Sequence, residues 1–240
     1  MTATGMSGSG SGTDWSIGAV IGAAGSAFGS HLVPFGGTAL VAGLPSLILS
    51  FVSTTPVVQM VVNLIVSQII TVTLVYGTTQ VLRGRQVTIG DCLSTGLGHL
   101  GAALGVAIVS GLAIGVASLL FLIPGLILYT MWAVAIPAAA IENTSIMNSL
   151  RRSSDLTLGR RWRVFGVIVV MIIIVVAAGM IVGGIAGILG QVETALFEVI
   201  TWIVTTLAQA FSACVMATLY VYLRRDKEGA DINQIASVFD

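Results

Sequence analysis

The sequence predicts an all-α, polytopic integral membrane protein: six transmembrane helices arranged as three hairpins, each preceded by a short interfacial helix. Three observations carry that expectation. The first is composition: 56% of the 240 residues are hydrophobic and 8% charged, with a mean hydropathy of +1.03. Soluble domains carry charge on about a quarter of their residues, and no water-facing surface can be built from so few. The second is the length of the charge-free runs, and the third is the placement of the basic residues between them.

A hydrocarbon core about 30 Å thick needs about 20 helical residues, so run length converts to span count. Residues 15–82 hold no Asp, Glu, Lys or Arg. That is enough for an entry segment and two spans, with Ser53-Thr54-Thr55-Pro56 as the turn. Residues 92–141 hold two more, with Ile123-Pro124-Gly125 as their turn signal. Residues 164–192 and 200–223 each fit one span, joined through Gly190-Gln191-Val192-Glu193-Thr194. The spans are expected near 32–53, 57–82, 100–121, 124–141, 164–189 and 195–223. Pro137 predicts a kink in the fourth, and the length of the sixth predicts tilt. Together they make a membrane domain over 15–225, between a Gly/Ser-rich disordered tail (1–14) and a cytoplasmic tail (226–240).

All ten basic residues fall in three places: Arg83 and Arg85; Arg151, Arg152, Arg160, Arg161 and Arg163; and Arg224, Arg225 and Lys227. These follow spans two, four and six, while the loops after spans one, three and five hold none. The positive-inside rule then puts the even-numbered loops and both termini in the cytoplasm.

Ser16-Ile17-Gly18, Thr88-Ile89-Gly90 and Ser145-Ile146-Met147 each open a short segment of mixed polarity before a hairpin. Ser or Thr suits an N-cap, and the apolar positions that follow give one apolar edge. In the third copy Ile146, Met147, Leu150 and Leu158 are apolar, Arg151, Arg152 and Asp155 polar, and Gly159 is a C-cap candidate.

Polar residues recur within two spans. Gln59, Asn63, Ser67 and Thr71 line one face of the second, and Glu198, Thr205, Gln209 and Ser212 do much the same in the sixth. Polar groups in hydrocarbon must be satisfied, so both faces should point inward, either as hydrogen-bond glue between helices or as a path for a polar solute. Glu198 is an intramembrane carboxylate or, with Glu193, one that faces water. Gly101, Gly105, Gly111 and Gly115 in span three, with Gly179, Gly183 and Gly187 in span five, have the small-residue spacing of close helix packing, within the monomer or across a homodimer. His31 and His99 stand where spans begin, without ligand partners at metal-site spacing. No disulfide framework is expected from Cys92 and Cys214, and no metal, cofactor or nucleic-acid partner.

The segment 143–163 is the richest in signal. Arg151, Arg152, Arg160, Arg161 and Arg163, with Trp162 as an interface anchor, form a surface suited to anionic lipid headgroups or a protein partner, unless these charges only set topology. Glu142, at the end of span four, is placed to pair with one of them. No phosphate loop, nucleophile–base set or soluble stretch of domain size is present, so a non-enzymatic membrane domain is expected. A small transporter or channel using the polar faces of spans two and six is the alternative.

Ile123-Pro124-Gly125, the Ala/Pro-rich span closing at Glu142, Ser149-Leu150-Arg151-Arg152-Ser153 and Leu156-Thr157-Leu158-Gly159-Arg160-Arg161-Trp162-Arg163-Val164-Phe165-Gly166 resemble the signature of the bacterial glycerophosphoryl diester phosphodiesterase membrane-domain family and its uncharacterised relatives. In the name-giving members a soluble phosphodiesterase barrel follows that membrane domain. Too few residues follow the last span here to hold it, so the resemblance implies the membrane part alone, in the bacterial cytoplasmic membrane, with no catalytic residue to carry over. It also implies a domain that engages lipids or anchors a partner.

Overall fold

A computed structural model describes residues 15–52, 55–142, 144–189 and 194–229. The stretch 1–14, Ser53 and Thr54 of the first turn, Asn143, the Gly190-Gln191-Val192-Glu193 part of the fifth connection and residues 230–240 lie outside them. The described residues form ten helices and no strand: α1 (Ile17–Ser30), α2 (Leu32–Phe51), α3 (Pro56–Leu82), α4 (Ile89–Gly98), α5 (Leu100–Leu120), α6 (Leu122–Met131), α7 (Ala135–Glu142), α8 (Ile146–Thr157), α9 (Arg161–Leu189) and α10 (Thr194–Glu228). Six stretches are long and apolar enough to cross a membrane, α6 and α7 together making the fourth. The chain is a multi-pass, all-α membrane protein.

Each hairpin is preceded by a short helix, as the capping pattern requires. The Ser16 hydroxyl accepts from the Ala19 N–H at 3.1 Å, and that of Thr88 from the Asp91 N–H at 3.2 Å. Ser145 occupies the same N-cap position in extended conformation but makes no side-chain cap bond. α1 runs over 14 residues despite its four glycines. Single residues, His31 and His99, link α1 to α2 and α4 to α5. Their rings bond locally, His31 Nδ1 to the Ser30 hydroxyl at 2.9 Å and His99 Nδ1 to the Thr95 carbonyl at 3.0 Å. Gly84 and Gly159 follow α3 and α8 in left-handed conformation, with φ of 75° and 81°, where glycine alone avoids the Cβ penalty.

Four details depart from the sequence reading. Ile123-Pro124-Gly125 is not the turn of the second hairpin: the chain reverses at Phe121, and Pro124 lies in the first turn of α6, where its missing N–H costs nothing. α10 runs to Glu228, so residues 226–228 are helix rather than tail, held there by ion pairs of Asp226 and Glu228. On α8, Leu150 and Leu156 are buried while Met147, and Leu158 just past its end, stay exposed, and Ser149, Ser153 and Thr157 complete the inward face. Finally, a Cβ on Gly101, Gly111, Gly115, Gly179 or Gly183 would meet nothing within 4 Å, so close packing within the monomer does not use them. Gly187 falls where packing is not described. The close approaches instead use Gly96 against Thr73 and Gly125 against Ser118.

Span four is broken at Trp132–Val134, because Pro137 lacks the N–H that would bond Ala133 and its ring crowds that carbonyl. Backbone groups freed inside a membrane need partners. α8 supplies them: the Ser153 hydroxyl donates to the Met131 carbonyl at 2.9 Å and accepts from the Val134 N–H at 3.3 Å, and the Thr157 hydroxyl also reaches Met131.

The buried residues crowd the half of the bundle that carries the arginines. The largest cluster joins Trp15, Val72, Val134, Ile141, Ile168, Leu219 and Tyr220; a second joins Phe35, Ile70, Leu74 and Cys214; a third joins Val106, Ala139 and Leu150. In the other half the helices splay. Val57, Met60 and Val61 of α3, Leu112 and Val116 of α5, and Ile173, Met180 and Ile181 of α9 are exposed, as suits surfaces solvated by lipid tails.

Candidate polar cleft and the arginine-bearing end

Residues four apart on a helix share one face, and the two polar faces predicted from sequence meet. Gln59, Asn63 and Ser67 of α3 and Glu198, Thr205 and Gln209 of α10 line one cavity of about 460 Å³, closed on a third side by Ser46 and Ser50 of α2. Thr71 and Ser212 lie outside it. They line an adjoining cavity of about 250 Å³ with Ser110 and Tyr129. A third space, about 490 Å³, opens between α9 and α10 beside Gly179 and Gly183. Gln209 borders all three. Its amide donates to the Ser67 carbonyl at 3.3 Å, a direct link between the two faces.

The hydroxyls of the cleft spend their protons on their own helices. Ser67 donates to Leu64 O at 2.8 Å, Thr71 to Ser67 O at 2.8 Å, Thr205 to Thr201 O at 2.8 Å and Ser212 to Ala208 O at 2.9 Å. What remains toward the cleft is their acceptor lone pairs. Glu198 Oε2 and Thr201 Oγ1 are buried with no hydrogen-bond partner among the described residues. The cleft therefore offers both acceptors, in the Glu198 carboxylate and the serine and threonine oxygens, and donors, in the Thr201 hydroxyl and the side-chain amides of Asn63 and Gln209, and no lysine or arginine lines it. Trp202 braces its wall, its indole N–H within 3.3 Å of Gly43 O and 3.2 Å of the Ser46 hydroxyl.

Sequence reasoning missed Ser46, Ser50, Thr201 and Trp202. The four-residue spacing of Ser46 and Ser50 was a usable signal. Nothing local marked Trp202, whose partners lie more than 150 residues away.

At the opposite end, most of the arginine surface turns inward. Glu142 is the hub: Arg152 Nε donates to its Oε1 at 2.8 Å and Oε2 at 3.1 Å, the Tyr220 hydroxyl donates to Oε1, and Arg224 Nη1 lies 3.8 Å away. Arg152 also pairs with Glu228, which Arg224 Nε reaches at 2.9 Å. Burial would lower the Arg152 pKa, but hydrogen bonds and charge from Glu142 and Glu228 raise it on balance. Arg160 grips Asp226 with two bonds, of 2.9 and 3.1 Å. Arg163 bonds the Trp15 carbonyl at 3.4 Å and stands over its ring. Of the predicted headgroup-contact residues, Arg152, Arg160 and Arg163 are thus engaged within the protein. Arg151 and Arg161 have no polar partner among the described residues, and Trp162 is 85% exposed. No protein-family profile, no curated protein and no solved structure matches this chain.

Proposed function

We propose that the chain is a non-enzymatic domain of the bacterial cytoplasmic membrane that takes a small, polar, hydrogen-bonding solute into the cleft between α3 and α10 and moves it across the bilayer. The observation that carries this reading is the convergence of both polar faces on one cavity, with Gln209 shared by the two spaces that adjoin it. Glue alone would leave neither a cavity of that size nor the unpartnered carboxylate oxygen of Glu198 and hydroxyl of Thr201. Uptake of labelled glycerol and ethanolamine into proteoliposomes tests it. At least one probe should enter faster than into protein-free liposomes. Gln209→Leu should slow that uptake about tenfold, the cost of one lost hydrogen bond to a charged or well-placed partner. Background rates for both probes, or uptake indifferent to Gln209→Leu, overturn it.

The orientation belongs to the same proposal, with the arginine-bearing end in the cytoplasm because basic loops resist translocation. Cysteines introduced near Arg85, Asp155 and Lys227 should label only from the cytoplasm, and ones near Thr55 and Gln191 only from outside. The native thiols do not obscure the readout. Cys92 and Cys214 are buried, and burial, reinforced by Asp91 against a hydrogen bond from Thr38, pushes Cys92 up to about 11, leaving little thiolate to react. Labelling of Thr55 and Arg85 positions from one side removes the six-span topology.

A further inference from the structure

The geometry points to a binding site for one anionic phospholipid in the groove between α6 and the start of α9. Its cavity, about 400 Å³, is walled by Ile123, Leu126 and Ile127 on one face of α6 and by Phe165 and Trp162 of α9, with Arg161 beside them. The Trp162 and Phe165 rings meet edge to face, 6.1 Å between centroids, and together form the aromatic wall. Ile123, Leu126 and Ile127 are all substantially exposed.

Two features select the occupant. In a bilayer an apolar groove of this size is filled by hydrocarbon, because a void forfeits dispersion contacts along its lining. Arg161 supplies the second: it is half-buried, its Nε is fully buried without a hydrogen-bond partner, and no described carboxylate pairs with it. An unpaired guanidinium next to lipid is costly. Its planar fork matches a phosphate with two parallel bonds. Arg160 and Arg163, its neighbours, are occupied by Asp226 and Trp15, so Arg161 is the arginine of this segment that both lacks a partner and borders a groove. An acyl chain against α6 and a phosphodiester on Arg161 satisfy both features with one molecule. The site is independent of the cleft at Gln209.

Native mass spectrometry of the full chain, released from micelles doped with phosphatidylglycerol or phosphatidylcholine, tests this. Wild type should retain phosphatidylglycerol in preference to phosphatidylcholine. Arg161→Gln should lower that retention about fivefold, the scale of one basic residue acting on an anionic headgroup, and Leu126→Trp, which fills the groove and keeps the charge, should lower retention of both lipids. Arg151→Gln, which removes an exposed arginine that does not line this groove, should leave retention unchanged. Equal losses in Arg161→Gln and Arg151→Gln would show only diffuse surface attraction and overturn the site. So would full competition by free glycerol phosphate, which has the headgroup chemistry but no chain.

Discussion

Glu142→Ala is expected to destabilise the purified domain by about 2–4 kcal/mol, the largest loss for any single substitution at the arginine-bearing end. The carboxylate receives Arg152 and the Tyr220 hydroxyl directly and lies 3.8 Å from Arg224. Its side chain is 15% exposed, and those of Arg152 and Arg224 are 27% and 16% exposed. Removing one partner of a buried pair costs about 3–5 kcal/mol, since the other charge stays behind, and the figure is trimmed because water still reaches part of this cluster. The Arg152 guanidinium and the Tyr220 phenol lose their common acceptor at once, and Arg224 loses a nearby opposite charge. The cluster joins α7, α8 and α10, so the loss should appear as a cooperative fall in melting temperature in detergent, with Glu142→Gln retaining part of the stability through its amide oxygen. A change below about 1 kcal/mol in Glu142→Ala would mean that the network adds little beyond topology.

Gly96→Ala should cost about 1–3 kcal/mol, whereas Gly111→Ala should be neutral or stabilise by up to about 1 kcal/mol. A Cβ on Gly96 would fall 2.4 Å from Thr73 Cγ2 and 2.8 Å from Thr73 Cα. The second of these is backbone of α3, which has no rotamer to give, so α4 must move away. On Gly111 the same atom meets nothing within 4 Å, leaving only the helix propensity gained on replacing glycine. Cys92 supplies a second readout, since it is buried on α4. Maleimide labelling of Cys92 should rise in Gly96→Ala and stay at the wild-type rate in Gly111→Ala. Similar melting temperatures and labelling for the two variants would show that α4 does not pack on α3 as described.

That pair of glycines marks how far sequence periodicity reaches. Four-residue spacing placed Gly101, Gly105, Gly111 and Gly115 on one stripe of α5, yet among them only Gly105 meets a neighbour, the flexible end of Ile146. Gly96 and Gly125, which belong to no such stripe, carry the tight approaches. Spacing defines a face; it does not say whether another helix or lipid lies against it. The polar faces fared better because burial of a polar group in hydrocarbon has a sign. Gln59, Asn63 and Ser67 share a cavity with Glu198, Thr205 and Gln209, although Asn63 and Thr205 stay exposed within it. Even so, the third wall of their cavity, Ser46 and Ser50 of α2, is visible only once the helices are packed.

By itself the sequence determined the number of spans, their approximate ends and the short helix before each hairpin. Those properties depend on the transfer of consecutive residues between water and hydrocarbon and on capping bonds three residues apart, both local along the chain. Only the tertiary structure decided which arginines are available. Arg160 finds Asp226 across 66 positions and Arg163 finds Trp15 across 148, while Arg161, between them in sequence, faces a groove. The break in span four belongs to both: Pro137 announces it, but Ser153 and Thr157 of α8 make it tolerable. A charge or a freed carbonyl takes its energy from the partner that reaches it, and that partner is chosen by packing rather than by neighbours in the chain.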